Sequence, residues 1–158
     1  PSVPFACAAA LRLPGTLERV LAARRDAGPT LGEAPGRRIH EVRIAAKRAR
    51  YTFDACLPAL GKPGKRFARR LRAFVDAAGD LRDAEVHASA VRDLARAVPR
   101  LAGERAAAER AAALLCEAFD ARVAKGRERV DGLYDAALGT RSIRGLLAHL
   151  AKRVAAAR

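Results

Sequence analysis

From Ile39 to Leu57 two sets of side chains recur at helical spacing and occupy different sectors of one helix. Ile39, Val42, Ala46, Ala49, Phe53 and Leu57 make an apolar stripe. His40, Arg43, Lys47, Arg50, Tyr51 and Asp54 fall within roughly a third of the circumference at about 100° per residue, in a stripe centred about 100° from the apolar one. The segment is therefore a helix with a core face and, beside it, an edge whose charged groups are nearly all cationic. The nitrogen-bearing side chains of that edge stack over about three turns, roughly 15 Å, which suits an extended polyanion better than a single small phosphate.

Helical character extends through the chain. Its 158 residues are enough for one core, and although 51% are hydrophobic, alanine supplies much of that, aromatics only 4%, and Trp and Met nothing. Alanine favours helices and lets their axes approach, while the scarcity of β-branched residues argues against a sheet. The expected fold is all-α, one antiparallel bundle of about five to six helices over residues 1–158.

Leu17, Val20 and Leu21 mark a short helix opened by Gly15 and Thr16 and ended by Gly28 and Pro29. A polar linker, residues 29–36, leads to the patterned helix, expected from Arg37 to Leu57 and stopped by Pro58 and Gly61. After a turn from Gly61 to Gly64, a third helix turns Phe67, Leu71, Phe74, Val75 and Ala78 inward. Gly79 and Asp80 interrupt or bend the pattern. A fourth helix then runs from about Leu81 to Val98, with Leu81, Val86, Val91, Leu94 and Val98 as apolar contacts and Pro99 closing it. Leu101 to Leu138 reads as one long helix or two, relieved by Gly126 and Gly132. Ser142 is placed to cap a last helix carrying Ile143, Leu146, Leu147, Leu150 and Val154.

A formal net charge of +14 and a pI near 11.2 repel the chain from itself unless an anionic partner relieves them. Polyphosphate, nucleic acid or an acidic membrane surface would each do so. Arginine outnumbers lysine 26 to 5, which fits either bidentate phosphate recognition or a genome rich in G and C. Beyond the stripe, Lys65, Arg69 and Arg72 align at i, i+4 and i+7 on the third helix as a second basic row, and Arg82 extends its rim. Asp83 lies among cations and is expected to pair with Arg or His and hold their orientation.

Catalysis finds little support. No carboxylate cluster lies near the stripe to hold metal for phosphoryl transfer, there is no P-loop, and His40, His87 and His149 lack ligand spacing. Neither a metal nor a cofactor is expected. Cys7, Cys56 and Cys116 are isolated and odd in number, as expected of small buried hydrophobes rather than disulfides. No apolar run approaches a membrane span, and the segment VPFACAAAL lacks the basic flank of a signal peptide. The chain is expected to be cytoplasmic, and to be a fragment or trimmed form.

The patterned helix resembles the hallmark of the conserved-histidine α-helical domain, the CHAD family, of the form H-x-x-R-x-x-x-K-R-x-R-Y. His40, Arg43, Lys47, Arg48, Arg50 and Tyr51 stand at those positions. The family's second hallmark, L-K-x-L-Q-D-x-L-G-x-x-x-D, is matched by Leu71, Arg72, Phe74, Asp76, Gly79 and Asp83, with Val75 and Ala78 where Gln and Leu are usual. Together the two cover residues 37–97.

The resemblance implies a helical bundle that binds inorganic polyphosphate in a basic channel, often in polyphosphate-storing bacteria, and hence association with polyphosphate granules. The hallmark positions His40, Arg43, Lys47, Arg50, Tyr51 and Arg72, with Lys65, Arg69 and Arg82 added from the basic row and its rim, are the expected polyphosphate-binding set, without turnover. His40 either contacts phosphate at the helix start or clamps a carboxylate such as Asp83. Tyr51 either offers its hydroxyl to phosphate or anchors the helix in the core. Arg48 points elsewhere on the helical wheel. The family usually carries two such helical halves; here only one is evident, resembling the second, so an upstream half or a second copy of the chain would complete the site. A helical nucleic-acid-binding protein, or a regulatory module for a triphosphate-hydrolysing domain, is the alternative.

Overall fold

The computed structural model describes residues 3–101 and 105–155 and, within them, the side chains other than those of residues 3–11, 59, 98–101, 105, 153 and 154. It is all-α. Helix α1 spans Val3–Ala27, a 3₁₀ turn spans Leu31–Glu33, and helices α2, α3 and α4 span Gly36–Leu101, Arg105–Leu138 and Thr140–Ala155. Four helices, one of them bent into two limbs, take the place of the expected five to six. The bend is at Gly61, whose φ of 61° and ψ of −169° lie outside helical space. No L residue with a side chain adopts that backbone cheaply, so the chain reverses there on a single glycine.

Several boundaries differ from expectation. Helix α1 starts well before Gly15 and carries Pro14 inside it. The first limb of α2 continues through Pro58, and the expected turn from Gly61 to Gly64 shrinks to one non-helical residue. Gly79 and Asp80 do not interrupt the second limb, so the third and fourth helices are one, and it runs past Pro99 to Leu101. Packing on both sides outweighs the roughly 1 kcal/mol that glycine costs in a helix interior. Gly126 and Gly132 likewise leave α3 unbroken. Ser142 is not a cap: its N–H, like that of Ile143, donates to the carbonyl of Gly139, which puts it in the first turn of α4.

The apolar stripe is the core. Ile39, Val42, Ala46, Ala49 and Phe53 are buried from the first limb, Leu57 packs at their margin, and Phe67, Leu71, Phe74, Val75 and Ala78 meet them from the second. Phe53 stacks on Phe67 across the bend, with ring centroids 4.8 Å apart. Phe74 meets the edge of Tyr134 on α3 at 5.5 Å, and His149 of α4 donates from Nε2 to the Leu60 carbonyl at 2.9 Å, covering the end of the first limb. The 3₁₀ turn is held from α3, where Asp131 accepts the N–H groups of Leu31 and Gly32 and Arg127 donates to the carbonyls of Gly32 and Ala34.

Among the described residues none between Ala88 and Val130 is buried. The end of α2 and the start of α3 thus project as a two-helix arm, tied by the Arg92–Asp120 ion pair. Leu94, expected as a core contact, is 59% exposed on it; Val86, also expected inside, is 47% exposed because it faces away from the buried Ala84 and Ala88, and Leu147 of α4 is 41% exposed. Val91 is half-buried. Their spacing was helical, but the bundle has ended by Leu94, and Leu147 faces away from it. Cys56 is buried, with its thiol pKa raised by burial, and Cys116 is half-buried. The side chains of Cys7, Val98 and Val154 lie outside the described residues. No helix among the described residues is long and apolar enough to cross a membrane.

Candidate functional site

The reversal at Gly61 lays the second limb of α2 antiparallel to the first, and side-chain pairs read out the register. Arg72 Nη2 donates to Asp54 Oδ1 at 3.2 Å, and Arg50 Nη1 stands 3.5 Å from Asp76 Oδ1. Arg43 reaches the second limb at Gly79, where a Cβ would stand 3.4 Å from its Nη2. The cationic edge of the first limb therefore runs along the row of the second that carries Arg72, Asp76 and Gly79. Lys65 and Arg69 continue that row at helical spacing; both are exposed and take part in no hydrogen bond or ion pair.

Charges along this seam are unevenly matched. Arg50 is shared between Asp54 at 3.9 Å and Asp76 at 3.5 Å, with its side chain 20% exposed. Both contacts are long and Arg50 and Asp54 are partly buried, so the pairs report the register of the two limbs. Glu41, in contrast, turns to Arg38 and Arg37, whose hydrogen bonds hold its carboxyl below the usual range, and does not neutralise the stripe. Arg43 and Lys47, both half-buried, have no carboxylate partner at all among the described residues. The Nε atoms of Arg43 and Arg50 are also buried without a hydrogen-bond acceptor. Between them Tyr51 lies outward, 54% exposed, with Arg50 Cζ 5.0 Å and Lys47 Nζ 6.0 Å from its ring centroid. It is not a core anchor; the ring is a platform that gathers two cations.

The remaining expected residues fall around this centre. Among the described residues His40, which is exposed, forms no hydrogen bond or ion pair, so the clamp to Asp83 is not made, and Asp83, also exposed, forms none either. The carboxylates that orient cations are Asp54 and Asp76. His40 instead lines a shallow groove of about 260 Å³ between α1 and α2, with Arg19 and Arg48 among its walls. Arg48, set apart on the helical wheel, thus shares a wall with His40 rather than with Arg43. Arg82 pairs with Glu85 at 3.9 Å, a carboxylate also held by Arg127 at 2.6 Å, and no contact joins it to the stripe.

Sequence reasoning underrated Gly79. A glycine in mid-helix signals close approach as well as a break, and here it leaves room for a guanidinium. Asp76, noted only as a match to the second hallmark, pairs with the stripe because the limbs are antiparallel. Among the described residues no group of His, Cys, Asp and Glu could hold a metal ion.

The seam of this helical hairpin thus sets Arg43 and Lys47, which have no carboxylate partner among the described residues, beside the paired Arg50 and Arg72. The family is shown by comparison: the CHAD domain model matches residues 2–92, more than half of the chain, and the chain belongs to that family. No curated protein and no solved structure matches the chain.

Proposed function

We propose that this protein binds inorganic polyphosphate along the α2 seam, without turning it over. The observation that carries this is the pair Arg43 and Lys47, which are half-buried yet have no carboxylate partner among the described residues. Desolvated cations without counterions destabilise a fold unless an anion completes them. Membership of a family of polyphosphate-binding domains supports the same ligand. Arg50 and Arg72, though paired to Asp54, lie alongside, and Arg72, the more exposed of the two, can turn from carboxylate to phosphate. Tyr51 offers its hydroxyl at the same edge, and His40, Lys65, Arg69 and Arg82 form the outer field that draws the ligand in.

A second helical half, from upstream sequence or from a second copy of the chain, would face this seam and close it into a channel. Solution mass with and without polyphosphate separates the two: a doubling on addition of ligand favours the second copy.

Binding of long polyphosphate to the Arg43→Ala, Lys47→Ala double variant tests the site. Affinity is expected to fall at least tenfold at moderate salt with helicity intact, and unchanged binding would sink the assignment. In competition at equal phosphate concentration, polyphosphate is expected to displace probe better than RNA or duplex DNA. A reversed order would favour a nucleic-acid-binding protein instead. Affinity for polyphosphate should also fall steeply with salt as counterions are released.

A further inference from the structure

A second concave basic site lies away from the α2 seam, where the start of the second limb of α2 meets the turn between α3 and α4. It is a cavity of about 630 Å³, within the range of small-molecule sites. Lys62, Arg66 and Arg70 project into it from one row of α2 at i, i+4 and i+8, and Arg141 enters from the first turn of α4, with Ser142 beside it. Phe67, Pro63 and Leu146 supply apolar wall.

The charge balance of this cavity is unlike that of the surrounding surface. Some exposed arginines elsewhere sit by carboxylates one helical turn away, as Arg38 does with Glu41 and Arg96 with Asp93. Along the row of Lys62, Arg66 and Arg70 no acidic residue occurs within a turn on either side, so three like charges face each other without relief. Asp135 is the single carboxylate on the wall and forms no ion pair among the described residues. Arg70 is fixed by donating from Nη1 to the Ala136 carbonyl at 3.4 Å, while Lys62, Arg66 and Arg141 form no hydrogen bond or ion pair among the described residues. Four cations from two helices, opposed by one carboxylate and converging on a hollow, form a site for a compact, multiply charged anion.

We infer that this cavity binds a di- or triphosphate group, either as a free short phosphate chain or carried on a nucleoside whose body rests on Phe67 and Leu146. Guanidinium groups from two sides suit the fork geometry of terminal and bridging phosphate oxygens, and the Ser142 hydroxyl adds a neutral donor. The site stands whether or not the seam binds polyphosphate, because the two share no residue.

The test is titration of the full chain with tripolyphosphate, and separately with ATP, at one moderate salt concentration. Arg66→Ala with Arg141→Ala is expected to lower tripolyphosphate affinity at least tenfold, while Arg43→Ala with Lys47→Ala leaves this component in place. Arg122→Ala with Lys125→Ala removes the same formal charge from the exposed arm and is expected to leave affinity near that of the parent. An equal loss in that control would mean diffuse attraction by net charge and would overturn the site. Amide resonances of Ser142 and Gly145 should shift on adding tripolyphosphate; shifts confined to residues 40–54 would overturn it as well. Displacement of tripolyphosphate by ATP identifies the nucleoside-borne form, and tripolyphosphate binding with no effect of ATP identifies the free chain. Failure of both to bind overturns the proposal.

Discussion

The Arg43 guanidinium lies over Gly79, so that a Cβ at residue 79 would stand 3.4 Å from Arg43 Nη2 and 3.5 Å from its Nε. A hydrogen atom in place of a side chain in mid-helix lets this half-buried cation of the stripe rest on the neighbouring limb.

Gly79→Leu should therefore displace Arg43 without unfolding α2, because Leu is a strong helix former and its side chain would occupy the space of the guanidinium. Polyphosphate affinity is expected to fall several-fold, as for Arg43→Ala, with unchanged far-ultraviolet circular dichroism. Gly79→Ala, whose methyl meets Arg43 near ordinary contact distance, should instead raise the melting temperature, since alanine is favoured over glycine by about 1 kcal/mol in a helix. Parental affinity in Gly79→Leu would show that the contact does not position Arg43.

Asp54 pairs with Arg50 and Arg72, so under the proposed function it would compete with ligand for them. Neutralising it as Asp54→Asn should tighten polyphosphate binding a few-fold at low ionic strength, an effect that fades with salt, and change stability by less than about 1 kcal/mol. Weaker binding in a titration of this variant would instead mean that Asp54 serves by holding the two arginines in place.

Burial, partly offset by the nearby Arg24, pushes the Tyr134 hydroxyl up from its ordinary 10.0 to about 12. The folded protein then holds this proton more tightly than the unfolded chain does. The corresponding stability is fully present below pH 10 and is lost as pH rises from there through about 12. Urea midpoints measured across that interval should fall, and Tyr134→Phe should flatten the decline; an equal decline in the variant would assign the alkaline loss to other groups.

Gly61 turns α2 back on itself with a positive φ. Gly61→Ala is expected to cost about 1–3 kcal/mol, read as a lower urea midpoint with unchanged denaturant slope. No shift would mean that the bend tolerates a side chain.

Local periodicity decided much of this protein in advance. The spacing of Ile39, Val42, Ala46, Ala49 and Phe53 determines both that the segment is a helix and which face is buried, because burial on a helix repeats every 3.6 residues wherever the helix lies. The cations at Arg43, Lys47 and Arg50 follow from the same wheel. What lay beyond it is whatever depends on a second element. Gly79 read as a break because its cost is local while its benefit, the room left for Arg43, comes from the other limb. Asp54 and Asp76, rather than Asp83, orient the arginines because of an antiparallel register set at Gly61. Leu94 keeps helical spacing yet lies exposed, since periodicity marks a face but not where the bundle ends. Arg141 joins Lys62, Arg66 and Arg70 across most of the chain, a convergence that no spacing encodes. Sequence alone thus determined the helices and their charged edge; tertiary packing decided which charges are neutralised and which are left open, because a side chain's partner across an interface is set by the register of two elements and not by its neighbours in the chain.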